Sequence, residues 1–131
     1  MDEVAIKEII NMAKAADVAL VGIGNIDENS NFFTAGYLKE EDLKYLREQE
    51  AVGDICAHFY DIEGRICRSI EERAITLSFE ELDAIPLVVA VATGSEKIPA
   101  ILGALRSGAV DVLITDEDTA AGVLRLSEKN S

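Results

Sequence analysis

LVVAVATGSEKIPAILGALRSGAVDVLITDE, residues 87–117, decides the fold. An apolar run, Leu87–Ala92, reaches the small-residue turn Thr93-Gly94-Ser95. Lys97 follows in the first turn of an amphipathic helix, and a second apolar run, Val110–Thr115, comes after it. This order predicts a β-α-β unit whose parallel strands are buried on both faces. Its crossover collects backbone N–H groups, the Ser95 hydroxyl and Lys97 at the carboxyl edge of a sheet. First-turn amides lack helical partners and the helix dipole is positive there, so an anion such as a sugar phosphate is favoured. The geometry by itself is a weak signal, because most α/β proteins contain several such turns.

At 131 residues the chain is read as one domain, residues 1–131, long enough for a real core. Hydrophobic residues at 49% with charged residues at 28% describe a globular chain rather than a disordered one. No apolar run approaches the roughly 20 residues that span a bilayer, so no membrane partner is expected. The acidic start, MDEVAIKEII, fits neither a secretory signal nor a transit peptide, and a cytoplasmic location is expected. Cys56 and Cys67 lack metal-type spacing; they read as buried reduced thiols, with pairing across a turn as the alternative. A single histidine argues against a His-based metal site, and no metal or cofactor is expected. With 25 acidic against 12 basic residues, the net charge of −13 leaves no basic face to displace counterions from nucleic acid. The chain by itself is therefore expected not to bind DNA. Any anion site on so acidic a protein must be local and preorganised.

Outward from the central unit, helix and strand signals alternate. Residues 2–16 carry Ile6, Ile9, Ile10 and Ala13 at helical spacing. Val18–Gly24 is a short apolar strand ending in glycines, and residues 25–36 form a polar loop anchored by Phe32 and Phe33. Residues 39–50 predict a charged surface helix with Leu43 and Leu46 facing inward. Gly53–Tyr60 reads as one strand, Asp61–Gly64 as a hairpin turn, Arg65–Arg68 as the returning strand, and Ala74–Ser78 as another short strand. Ser78-Phe-Glu-Glu81 fits a capping box that starts a brief helix, which Pro86 ends. Asp116-Glu117-Asp118 caps the last helix. The predicted class is α/β: a three-layer Rossmann-like sandwich with a mainly parallel sheet and a small hairpin near residues 54–68.

Consecutive blocks of the chain, VGIGNID…AGYLKEEDL, AVGDICAHFYDIEGR, LDAIPLVVAVATGSEKIPAILGALRSG and VDVLITDEDTA, resemble the effector-binding domain of SorC/DeoR-type sugar-responsive transcriptional regulators. The resemblance runs in order from about residue 15 to residue 124, which makes it more specific than any single glycine motif. It implies a phosphosugar-binding domain, similar in fold to sugar-phosphate isomerases and CoA-transferases, working in a homo-oligomer. DNA would be contacted through a helix-turn-helix absent from these residues. Regulators of this type are more than twice as long, so the chain is read as a truncated or separately produced half-domain. Thr93 stands where the family usually has a second glycine, giving TGSEK for a GGPEK-like turn. Because Thr tolerates positive φ poorly, a tighter or differently bent loop is expected.

The candidate ligand-binding residues are Lys97, Asp54, Gly94, Ser95, Gly22, Gly24 and Tyr37. Lys97 is an ordinary surface lysine by its residue type alone; the resemblance implies that it reaches ligand phosphate, with the amides of Ser95–Lys97 beside it. Asp54 is either a strand-edge carboxylate or, as the resemblance implies, an acceptor for sugar hydroxyls. Gly22 and Gly24 end a strand at the edge where α/β ligands bind, or simply let it turn. Tyr37, in the AGYL block, either lines the ligand or packs. His58, alternating with apolar residues, reads as structural or surface, and Asp61 as a turn residue. No nucleophile–base–orienter set appears, so catalysis is not expected. The alternatives are a sugar-phosphate isomerase-like enzyme using Asp54 and Lys97, a CoA-transferase-like enzyme, or a standalone oligomerisation module.

Overall fold

The computed structural model describes residues 3–26, 39–67 and 77–129. In chain order its elements are helix α1 (Glu3–Lys14), strands β1 (Val18–Gly22) and β2 (Gly24–Asn25), helix α2 (Glu40–Glu48), strands β3 (Ala51–Ile55), β4 (His58–Asp61) and β5 (Ile66–Cys67), helix α3 (Phe79–Asp83), strand β6 (Leu87–Val91), a 3-10 turn (Ser95–Lys97), helix α4 (Ile98–Arg106), strand β7 (Val112–Ile114) and helix α5 (Glu117–Lys129).

The expected α/β architecture is present. The three apolar runs form one parallel sheet in the order β1-β6-β7. Val18 lies opposite Leu87 and Gly22 opposite Val91, while Val89 to Val91 pair with Val112 to Ile114. Strands β2 to β5 form a second, antiparallel sheet in sequential order. Helix α4 lies between the two sheets. Its Ala100, Ile101 and Ala104 share a core with Val21, Val88 and Ala90 on one side and with Ile55 and Tyr60 on the other. Being enclosed from both directions, α4 buries Ala100 through Ala104 without a break, so the amphipathic helix expected here is a central one with more than one face covered. Tyr60 spans the gap, its hydroxyl donating to the Ala100 carbonyl at 2.7 Å.

Alternation along the antiparallel strands sends Ile55 and Tyr60 toward α4. Phe59 and Cys67 point the other way and close a smaller cluster with Leu46 of α2. The layers therefore run from parallel sheet to helix, antiparallel sheet and helix. Burial of the parallel strands on both faces is not what the described residues show: Val18, Leu20, Val91, Val112 and Ile114 are exposed, all on the face turned from α4.

Local signals fared well where they act over one turn of helix. Ser78 accepts from the Glu81 amide at 3.0 Å, and Glu81 accepts from the Ser78 amide at 2.9 Å, completing the capping box. Asp61 Oδ1 accepts from both Glu63 and Arg65 amides at 2.9 Å and organises the turn between β4 and β5. Leu43 and Leu46 are buried as the spacing of α2 requires.

The single strand expected over Gly53–Tyr60 is instead two strands joined at Cys56-Ala57, both left-handed with φ of 52° and 67°. Such a two-residue turn matches strand twist, yet neither residue is one that favours positive φ. Cys56 is consequently exposed at the tip, contrary to the buried thiol expected, while Cys67 is buried; both are free. The Val18–Gly24 strand likewise divides, leaving the parallel sheet after Gly22 and joining the antiparallel one at Gly24. Phe32, Phe33, Tyr37, Arg68 and residues 74–76 lie outside the described residues.

Candidate functional site

The carboxyl ends of β1 and β6 meet the 3-10 turn before α4. Gly94 opens that turn with φ 120° and ψ 140°, a region that side chains exclude, and Lys97 closes it. Thr93 is not among the residues with positive φ, so the demand for glycine falls on Gly94 alone and Thr93 is tolerated. The Lys97 amide donates to the Gly94 carbonyl at 3.1 Å, and the Gly94 amide donates to Thr119 Oγ1 at 3.1 Å. Of the expected donors, the amides of Ser95–Lys97, that of Lys97 is thus already engaged, as is the neighbouring Gly94 amide. Those of Ser95 and Glu96 are left at the start of the turn, where helical geometry provides no acceptor. Ser95 is exposed and Lys97 half-buried.

Gly22 ends β1 opposite Val91, and two residues later Gly24 opens β2 opposite Asp54. The two glycines therefore sit on different sheets, on either side of the buried Ile23. Strand β2 packs directly against the 3-10 turn, which brings Gly24, Asp54 and Lys97 into one neighbourhood. Gly24 has no room for a side chain, because a Cβ there would run into the Asp54 carboxylate.

Asp54 is only 7% exposed. Burial pushes its carboxyl up to about 6, against the pull of the Ala57 amide, His58 and Lys97. That amide donates to Asp54 Oδ2 at 3.3 Å, so the same carboxylate that borders Gly24 also braces the left-handed turn. His58 is buried and structural, its Nε2 bonded to the Leu77 carbonyl and its ring edge-on to Phe79 at 6.2 Å.

The Lys97 ammonium has no carboxylate within ion-pair distance among the described residues, in a protein with 25 acids. Thr115, the residue after β7, buries a hydroxyl oxygen without a hydrogen-bond partner among the described residues. A cation outside ion-pair distance of the described carboxylates, two first-turn amides and a confined carboxylate can hold an anion bearing hydroxyl groups. Among the described residues no cluster of three or more His, Cys, Asp or Glu is placed to hold a metal ion. Of the residues singled out from the sequence, Gly24, Asp54 and Lys97 come together where β2 meets the 3-10 turn, Gly94 and Ser95 belong to that turn, Gly22 ends β1 on the other sheet, and Tyr37 lies outside the described residues. Thr119 was missed; its signal is the Asp116-x-x-Thr119 spacing of a helix cap.

Residues 1–125 match the family model Sugar-bind, described as "Putative sugar-binding domain". The chain belongs to this family. It is 39% identical over 120 residues to the deoxyribonucleoside regulator of Bacillus subtilis (strain 168), covering 91% of this chain and 38% of that protein. A transcriptional regulator from Streptococcus pneumoniae TIGR4 superposes with a TM-score of 0.85 at 36% identity, over 95% of this chain and 48% of that one. The full-length sorbitol operon regulator SorC from Klebsiella pneumoniae superposes with a TM-score of 0.81 at 32% identity, over 91% of this chain and 39% of that one. The chain thus spans about two fifths of the length of the curated relatives it matches. Those relatives are named as a deoxyribonucleoside regulator and as the transcriptional regulator LsrR, not as enzymes.

Proposed function

We propose that this chain is the effector-binding part of a SorC/DeoR-type transcriptional regulator and that its effector is a phosphorylated sugar. The observation that carries the reading is the half-buried Lys97 ammonium, which has no carboxylate within ion-pair distance among the described residues and shares the electrostatic field of buried Asp54. Lys97 and the Ser95 and Glu96 amides hold the phosphate, and Asp54 accepts hydrogen bonds from sugar hydroxyls. Gly22 and Gly24 keep the edge open, Gly94 shapes the turn, and Tyr37 remains a candidate lining residue. With a net charge of −13, the chain leaves DNA contact to a separate module of the regulator. A cytoplasmic location goes with that role. The same reading includes a homo-oligomer, supported by the open apolar face of the parallel sheet and readable by sedimentation equilibrium.

The test is titration calorimetry of aldose and ketose phosphates against the wild type and Lys97→Ala. Loss of a charge-assisted bond weakens binding roughly 10- to 150-fold. Asp54→Asn loses less, because the amide oxygen still accepts. Equal affinities for the wild type and Lys97→Ala would remove Lys97 from the site. Turnover of any sugar phosphate would favour the isomerase-like alternative instead.

A further inference from the structure

Gly94 adopts a backbone conformation that only glycine occupies readily, and glycine loses the most freedom when it is ordered. Something must hold that peptide in place. Its amide is taken by Thr119 Oγ1 at 3.1 Å, and Thr119 is only 3% exposed, in the first turn of α5. The Thr119 amide in turn donates to Asp116 Oδ1 at 2.7 Å, which anchors the backbone that carries the hydroxyl. Thr119 is therefore held at its amide by Asp116 while its hydroxyl oxygen accepts from Gly94. Helix α5 also packs against the start of α4, with Gly122 lying against the Ile98 side chain. Both ends of the turn are thus referred to one helix: Gly94 through Thr119, and the Ile98 end through Gly122.

We infer that Thr119 is a positioning residue for the anion-binding turn, its hydroxyl setting the attitude of the Ser95 and Glu96 amides and of Lys97. The inference rests on the sugar-phosphate reading for its functional consequence, but the hold on Gly94 is measurable without any ligand. It also makes α5 the element that feels occupation of the turn, because the hydrogen bond to Gly94 crosses directly between them.

The experiment compares the wild type, Thr119→Val and Thr119→Ser by NMR hydrogen exchange at the Gly94 amide and by calorimetry with inorganic phosphate and the sugar phosphates. Valine keeps the shape and removes the hydroxyl, while serine restores it. Loss of one hydrogen bond speeds Gly94 exchange and weakens phosphate binding about 3- to 10-fold in the valine variant, with both recovered in the serine variant. Asp116→Asn, at the exposed helix start, shifts Gly94 exchange in the same direction by less and serves if the valine variant does not fold. Unchanged Gly94 exchange in a folded Thr119→Val protein overturns the inference, as does an equal loss in the serine and valine variants. Faster Gly94 exchange in Thr119→Val, with no phosphate binding by the wild type, upholds the hold on the turn and counts against the ligand reading alone.

Discussion

On one face of the parallel sheet Val21, Val88 and Ala90 are buried against α4, whereas on the other Val18, Leu20, Val91, Val112 and Ile114 stand open, Leu20 at 73% exposure. The residues are of one kind; the difference lies in what packs against them. A strand such as Leu87–Val91 is apolar throughout, so its sequence asks for cover on both sides, and helices of the described residues supply it on one. The covered side also accommodates polar chemistry: Asp54, Tyr60 and Thr119 are all buried, each held by hydrogen bonds. The open face presents aliphatic groups and Gly22.

The contrast is broken most forcefully at the covering helix. Ile101→Ala removes a fully buried side chain between the two sheets and should cost about 2–5 kcal/mol, measured by chemical denaturation. A loss below about 1 kcal/mol would mean that α4 does not close the core as described.

A pH titration sharpens the same contrast. Asp54 titrates near 6 when folded against an ordinary 3.8, so the folded state holds the extra proton between those values. Its contribution to stability is therefore fully present below about 4 and is lost as pH rises through 6, by up to about 3 kcal/mol. Asp54→Asn should flatten that slope and leave the part due to general charge repulsion. An unchanged slope would show that Asp54 is hydrated in solution.

The smallest effect is expected on the open face. Leu20→Ser should change stability by no more than about 0.5 kcal/mol while lowering the binding of a hydrophobic dye. A cost comparable to that of Ile101→Ala would show that this face is covered in solution, as self-association through it in the proposed homo-oligomer would cover it.

What could be read along the chain was whatever depends on near neighbours. Periodicity marked α1, α2 and the three parallel strands, i-to-i+3 chemistry marked the Ser78–Glu81 box, and the acidic run Asp116-Glu117-Asp118 marked the last helix's cap. The family blocks pointed to Lys97 and Asp54, 43 positions apart (97 − 54), which no local pattern connects. The Cys56-Ala57 turn escaped notice because it lacks the Asn-Gly or Asp-Gly chemistry that announces a two-residue hairpin; Asp54 instead supplies support through the Ala57 amide. Nor does sequence indicate that the chain changes sheets at Ile23, since an apolar residue suits either core. Apolar pattern and local hydrogen bonding therefore determined the elements and their caps. Tertiary packing alone decided which sheet each strand joined, which face was covered, and that Thr119 would hold Gly94. Each of these depends on contacts between distant segments, whose favourable energy is available only once the whole core has closed.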